Sequence, residues 1–281
     1  MRGFRVRETR RPSAPGVRNC AVLVKLIFPS IIAALAPRST LGFFMAENLR
    51  PLQIGFVLFP SLTQLDLTGP WEVLTRLPNA ACHLLSHDLA PVRSASGGLT
   101  LSPTLTYADC PQLDLICVPG GPGHLGAMKD GLLLAFLARQ APGCRYVMAV
   151  CTGSLVLAAA GLLRGYQATT HWMSLERLAA FGVKPVARRV VIDRDRITGG
   201  GVSAGIDFAL AVVTELAGES LTREIQLQIE YEPEPPFSGS PESADPAIVQ
   251  AVRTKTRAYA AAMKEIDAQV LAGYGAWTSP V

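Results

Sequence analysis

The sequence predicts an α/β protein whose doubly wound, mostly parallel sheet carries helices on both faces, as in flavodoxin-like and glutamine amidotransferase-like folds. Short apolar runs alternate with segments of helical length from residue 50 onward. Two runs, Leu113–Val118 and Tyr146–Val150, are almost continuously apolar, which is typical of central parallel strands covered on both faces. The 281 residues are 49% hydrophobic and 17% charged, so the chain can bury a large core.

The elements follow from periodicity and from Gly and Pro breaks. Strands are predicted at Gln53–Phe59, Cys82–Ser86, Val92–Ala95, Leu113–Val118 and Tyr146–Val150, with a hairpin at Val186–Ile192 and Arg196–Thr198. Helices are predicted at Leu65–Leu77, Leu125–Gln140, Ala204–Ala217, Leu221–Glu230 and Ala247–Leu271, with another from Ser154 through Gly161. Pro103 predicts that Leu99–Tyr107 forms edge strands or a hairpin outside the central sheet.

The chain is expected to have three parts. Residues 1–48 are predicted to be an extension, disordered or upstream of a misassigned start, and Met45 lies shortly before the first strand. Their Arg-rich start and interrupted apolar run also leave export or membrane attachment as alternatives. Residues 49–231 are predicted to be the catalytic domain, and residues 232–281 a linker and a C-terminal helix.

Charge and cysteine pattern narrow the function classes. The formal net charge is +4, but residues 1–44 hold eight basic residues against one acid, so the rest of the chain is net negative. No basic footprint for nucleic acid is therefore expected. The six cysteines form no CxxC pair and no Cys/His cluster at zinc spacing, which predicts a reduced, cytoplasmic protein without a metal.

Two motifs lie where consecutive parallel strands end. Gly120 and Gly121 belong to a Pro-Gly-Gly turn whose backbone amides are candidates for one half of an oxyanion-binding pair. Cys151 lies between a buried strand and a helix, as in a nucleophile elbow, and the N–H of Thr152 is a candidate for the other half. A cysteine at a helix N-terminus is expected to have a lowered pKa and to be a good nucleophile.

A reactive thiol needs a neighbouring group that exchanges protons, and three residues are candidates. Asp66, flanked by leucines on the same rim as Cys151, is expected to be partly desolvated and to carry a raised pKa, or else to cap a helix. His171 is a candidate orienting or substrate-binding group, or a histidine satisfied beside Trp172. Asp207 is equally compatible with a functional or a structural role.

Taken together, the motifs resemble the ThiJ/PfpI superfamily, which is class I glutamine amidotransferase-like, over about Leu52–Glu230. Within it they look most like the isonitrile hydratases. The matching segments are Gln64–Pro70, Pro119–Gly123, Ala149–Ser154, Thr169–Trp172 and Gly200–Asp207. Similar segments occur in transcription regulators, but those carry a C-terminal DNA-binding module for which this tail is too short and lacks the pattern.

This resemblance implies an enzyme in which Cys151 is the nucleophile, Asp66 the acid and base, and Thr152 a further catalytic residue. Protonation of an isocyanide carbon by Asp66 with attack by Cys151 would give a thioimidate, which water would hydrolyse to an N-substituted formamide. The resemblance implies a small-molecule substrate, no cofactor, no membrane partner and a homodimer. The alternatives are a glyoxalase-like hydratase or deglycase on 2-oxoaldehydes, a peptidase that pairs Cys151 with His171, and a cysteine redox sensor or chaperone.

Overall fold

The structure is a computed structural model that describes residues 50–277, with side chains described up to residue 273. The predicted extension, residues 1–48, therefore lies outside the described residues, and the three-part division of the chain stays a prediction.

A seven-stranded sheet forms the centre of the described chain. The strands in chain order are β1 Leu52–Val57, β2 Ala80–Ser86, β3 Val92–Arg93, β4 Thr100–Leu101, β5 Leu105–Thr106, β6 Leu115–Val118, β7 Tyr146–Val150, β8 Gln167–Ala168, β9 Lys184–Pro185, β10 Val190–Asp193 and β11 Arg196–Gly199. The central sheet has the order β10-β11-β7-β6-β1-β2-β5 and is parallel except for the antiparallel pair β10 and β11. Two small two-stranded sheets, β3 with β4 and β8 with β9, lie outside it.

The α-helices flank this sheet. In chain order they are α1 Gln64–Leu74, α2 His124–Ala127, α3 Gly131–Gln140, α4 Gly153–Ala159, α5 Ala204–Ala217, α6 Glu219–Gln228, α7 Pro246–Lys255 and α8 Arg257–Trp277. Helix α1 packs on α5, and α4 packs on α2 and α3. The predicted doubly wound α/β class is therefore confirmed.

The middle strands occupy the core because their sequences leave no polar face. All four residues of β6 and the last four of β7 are buried, as are the last four of β1. Burial on both faces is what requires such continuous apolar runs. Parallel strands end at the same edge, so the loops after β1, β6 and β7 come together there, as expected for a ligand site in an open α/β sheet.

Three predicted elements differ from the structure. The helix predicted at Leu125–Gln140 is two helices, because the side chain of Asp130 accepts from the N–H groups of Leu132 and Leu133 and starts α3 anew. The prediction for Leu99–Tyr107 holds in part: β4 pairs outside the central sheet, whereas β5 is an edge strand of that sheet, beside β2. The C-terminal helix is interrupted at Thr256, between α7 and α8.

A 3₁₀ helix, Trp172–Phe181, was not predicted from periodicity. It follows His171 and ends at Gly182, whose left-handed backbone (φ +72°) suits glycine. Among residues 50–277, no helix combines the length and the apolar character needed to cross a membrane.

Candidate active site

Cys151 sits on the turn that joins β7 to α4, and its backbone is held in the left-handed region with φ +56°. Its N–H lies within hydrogen-bonding distance of two carbonyls, Gly199 O at 3.0 Å and Gly200 O at 2.9 Å. Its carbonyl accepts from the hydroxyl of Thr170 at 2.8 Å. A non-glycine residue in this region costs free energy, and these contacts hold it there. The side chain is thereby fixed at the sheet edge and is only 4% exposed.

Asp66 lies in the first turn of α1 and is completely buried. Its Oδ2 accepts from the N–H of Gly120 at 2.9 Å, while Oδ1 is the buried side-chain oxygen that has no hydrogen-bond partner among the described residues. Burial raises the pKa of this carboxyl to about 7, against smaller lowering effects of the Cys151 thiol and the Gly120 N–H. The carboxyl can thus gain or lose a proton near neutral pH, and Oδ1, which has no partner among the described residues, is the oxygen free to carry that proton.

The expectation of a lowered pKa for Cys151 is wrong. Burial raises the pKa of the thiol well above its usual value, and a negative charge on Asp66 raises it further. The N–H and the hydroxyl of Thr152, at the N-terminus of α4, lower the pKa of the thiol as expected, but their effect is smaller than that of desolvation. The thiol of Cys151 therefore favours its neutral form, and the carboxyl of Asp66 keeps its proton to a much higher pH than an ordinary aspartate does.

The expected oxyanion role of Gly120 and Gly121 is not supported, because their amides are already engaged. The Gly120 N–H donates to Asp66, and the Gly121 N–H donates to Thr152 Oγ1 at 3.0 Å. Both positions nevertheless require glycine. A Cβ on Gly120 would lie 2.5 Å from the Thr152 nitrogen, and Gly121 has φ +121°. The turn positions Asp66 and Thr152, and the Thr152 N–H remains the candidate donor beside the thiol.

His171 and Asp207, the other candidates, have separate structural partners. His171 caps the 3₁₀ helix, its Nδ1 accepting weakly from the Met173 N–H at 3.4 Å, and burial lowers the pKa of its ring. It follows Thr170 and so lies on the Cys151 rim, where a role in binding substrate stays a prediction. Asp207 forms an ion pair with Arg189 at 2.6 Å and accepts from the Tyr231 hydroxyl at 3.0 Å.

Sequence reasoning missed a buried polar network beside the site. His124, completely buried, contacts Gly121 O through Nδ1 at 2.8 Å and Arg177 through Nε2 at 3.0 Å. Arg177 in turn holds Asp267 of α8, and the Tyr259 hydroxyl lies 3.3 Å from His124 Nδ1. These residues come from three distant parts of the chain with no spacing motif, so the sequence carries no signal that would group them.

Within the described residues, no group of three or more His, Cys, Asp or Glu side chains is arranged to hold a metal ion. At this edge of the sheet the described side chains provide a buried thiol beside a buried carboxylic acid. That pairing, on this sheet edge, can exchange a proton between sulfur, carboxyl and a small bound molecule.

The fold and this pair define the class of protein: the chain belongs to the DJ-1/PfpI family, whose profile matches residues 53–215. It is 54% identical over 205 residues to the isonitrile hydratase of Pseudomonas putida, an alignment that covers 73% of this chain and 90% of that protein. A crystal structure of a ThiJ/PfpI family protein from Pseudomonas syringae, 40% identical, superposes with a TM-score of 0.75 over 77% of this chain and 90% of that one.

The chain is also 34% identical over 195 residues to the HTH-type transcriptional regulator GbdR of Pseudomonas aeruginosa. That alignment covers 66% of this chain but only 52% of the regulator. The similarity to the regulator thus concerns about half of its length, whereas the similarity to the hydratase extends over most of that enzyme.

Proposed function

We propose that this protein is an isonitrile hydratase, which adds water to an organic isocyanide and releases an N-substituted formamide. The observation that carries the proposal is the buried Asp66 carboxyl, which has a pKa of about 7 and an Oδ1 without a hydrogen bond, next to the Cys151 thiol. An isocyanide carbon becomes electrophilic when it gains a proton, so it needs an acid and a nucleophile at one place. The 54% identity to an isonitrile hydratase supports the same assignment.

The first half of the reaction joins sulfur to carbon. Asp66 donates its proton to the isocyanide carbon, and the carboxylate left behind accepts the thiol proton as Sγ of Cys151 bonds that carbon. Because the pKa of the thiol is raised, the sulfur must lose its proton during the attack, and the ionised Asp66 is the base at hand. The product is a thioimidate, and Asp66 is again protonated.

Hydrolysis completes the cycle. Asp66 protonates the thioimidate nitrogen and takes a proton from the water molecule that adds to the carbon. The carbon–sulfur bond then breaks as Asp66 gives that proton to sulfur, and the added hydroxyl passes its own proton to the ionised Asp66. Thr152, whose N–H and hydroxyl favour negative charge on Sγ, stabilises the sulfur as it leaves. Thiol and carboxyl end in their starting forms.

Access to the site also suits this substrate. Cys151 is 4% exposed and Thr152 is 6% exposed, so a narrow functional group reaches the sulfur more easily than a branched one. The isocyanide group is a linear rod of two atoms. The cytoplasmic location and the homodimer implied by the resemblance stay predictions.

The test is chromatographic detection of N-cyclohexylformamide formed from cyclohexyl isocyanide by the protein and by its Cys151→Ala variant. We expect turnover by the parent and a loss of about 10⁴-fold or more in the variant, because the nucleophile is removed. Cys144→Ala is the matched control, since Cys144 is a half-buried cysteine whose thiol donates to the Gln140 carbonyl. A parent that converts methylglyoxal but no isocyanide would replace the proposal with the glyoxalase-like alternative.

A further inference from the structure

The C-terminal helix α8 brings a tyrosine to the edge of the proposed site. Tyr259, in the first turn of α8, is half-buried, and its hydroxyl lies 3.3 Å from Nδ1 of His124. The helix is fastened there by a buried ion pair, in which Arg177 binds both oxygens of Asp267 at 2.6 and 2.7 Å. Met263, which lies between Tyr259 and Asp267 in sequence, is 3% exposed and receives an N–H of Arg177 at 2.9 Å.

The protonation of His124 follows from its partners. A guanidinium only donates hydrogen bonds, so the Nε2 of His124 that faces Arg177 must be the acceptor. Burial lowers the pKa of His124 to about 4, with a further lowering by the Arg177 charge, so the ring is neutral and carries its one proton on Nδ1. That Nδ1–H points at the Gly121 carbonyl, an acceptor 2.8 Å away.

This tautomer fixes what the Tyr259 hydroxyl can do. Because Nδ1 already bears a proton, Tyr259 cannot donate to it, and its oxygen acts as a second acceptor for the Nδ1–H. Its own O–H is left to donate in another direction. Burial raises the pKa of Tyr259, the Arg177 charge lowers it, and a thiolate at Cys151 would raise it further, because the sulfur lies close enough to influence this hydroxyl.

We propose that Tyr259 donates a hydrogen bond to the nitrogen of the bound substrate while Cys151 forms its bond to the carbon. This inference rests on the proposed hydratase function. In a linear isocyanide the nitrogen has no lone pair, and it gains one only when the carbon bonds to sulfur and hydrogen. The hydrogen bond therefore forms on the way to the thioimidate, and it lasts until the nitrogen is protonated in the hydration step.

An interaction absent from the ground state raises kcat without tightening substrate binding. The Tyr259→Phe variant, which removes only the hydroxyl, should show kcat for cyclohexyl isocyanide lowered about 10- to 100-fold and KM within about twofold of the parent. Tyr231→Phe is the matched control, because that hydroxyl binds Asp207 away from the pair, and it should keep the parent's kcat. A Tyr259→Phe variant with the parent's kcat would overturn the proposal.

Two further measurements do not depend on isocyanide turnover. Long-range ¹H–¹⁵N NMR should find the His124 proton on Nδ1, and a proton on Nε2 would overturn the proposal. If Tyr259 is placed as proposed, iodoacetamide attacked by Cys151 should bring its carbonyl oxygen within reach of the tyrosine hydroxyl, and peptide mass spectrometry measures the rate of this alkylation. It should slow about threefold or more in Tyr259→Phe, and an unchanged rate argues against a donor there. If alkylation slows in Tyr259→Phe but the parent hydrates no isocyanide, the hydratase function is refuted while this placement of Tyr259 stays supported.

Discussion

Asp66 and Asp207 are the same residue type in the first turns of two helices that pack on each other, yet their surroundings differ completely. Asp66 is fully buried, faces no cation, and accepts one backbone N–H. Asp207 is partly exposed and has both an arginine and a tyrosine hydroxyl as partners. A carboxyl group has a pKa near 7, and can donate a proton at neutral pH, when it is buried with few partners that stabilise its negative charge. Position on a helix alone does not decide this.

The largest contrast is expected in turnover. Asp66→Asn should lower kcat/KM for cyclohexyl isocyanide by about 10² to 10⁴-fold, because an amide cannot serve as the acid and base. Asp207→Asn removes a charge of the same size from the neighbouring helix and should leave kcat/KM within about twofold. Equal losses of kcat/KM in the two variants would show that Asp66 is not the carboxyl that serves as acid and base.

A second contrast concerns stability as a function of pH. The pKa of Asp66 is about 7 when folded and 3.8 in its ordinary state. The folded state therefore holds the proton more tightly, and stability is lost as pH rises from about 4 through 7. This shift is worth up to about 4 kcal/mol. The amide in the Asp66→Asn variant does not titrate. The free energy of unfolding of the variant, measured by urea titration, should therefore increase relative to that of the parent between pH 5 and pH 8. A difference that stays constant with pH would contradict the burial argument.

The rate should follow the same protonation. Since protonated Asp66 donates to the isocyanide, kcat/KM should fall about tenfold per pH unit above pH 7. The Asp207→Asn variant should keep this profile unchanged, because its charge is not part of the proton transfer. A rate that rose through pH 7 would mean that ionised Asp66 is the active form.

The smallest effect is expected for the stability of Asp207→Asn. The ion pair with Arg189 joins side chains that are 32% and 53% exposed, and such pairs contribute at most about 1 kcal/mol. Thermal unfolding should therefore shift by only a few degrees at any pH between 5 and 8. A larger loss of stability would show that the Asp207–Arg189 ion pair stabilises the fold more than a partly exposed pair normally does.

The parts of the fold that follow from local pattern were predictable. The strand Tyr146–Val150 and the helix Ala204–Ala217 have the predicted bounds. An unbroken short apolar run indicates a buried strand, and a long helical periodicity of apolar residues indicates a helix. The interruptions at Asp130 and Thr256 were not predicted, since the periodicity continues across both breaks. The membership of β5 in the central sheet depends on pairing with β2, a contact that no local pattern encodes.

The site was predictable in the same uneven way. Its strand-end motifs placed Asp66, Cys151 and Thr152 together, because parallel strands end at one edge. The sign of the Cys151 pKa shift was wrong, since burial and the Asp66 charge are tertiary effects that outweigh the local helix terminus. Tyr259 contacts His124, and Asp267 contacts Arg177, through the packing of α8, a tertiary arrangement that no local pattern encodes.

The left-handed backbone of Cys151 also has an evolutionary consequence. Glycine adopts this conformation without the penalty, of about 1 kcal/mol or more, that a side chain incurs. The backbone alone would therefore favour glycine at this position, whereas the thiol and its burial favour cysteine. In a lineage that lost the need for this chemistry, relief of the backbone strain would be set against the lost packing of a buried side chain, so a glycine there would mark the lost activity.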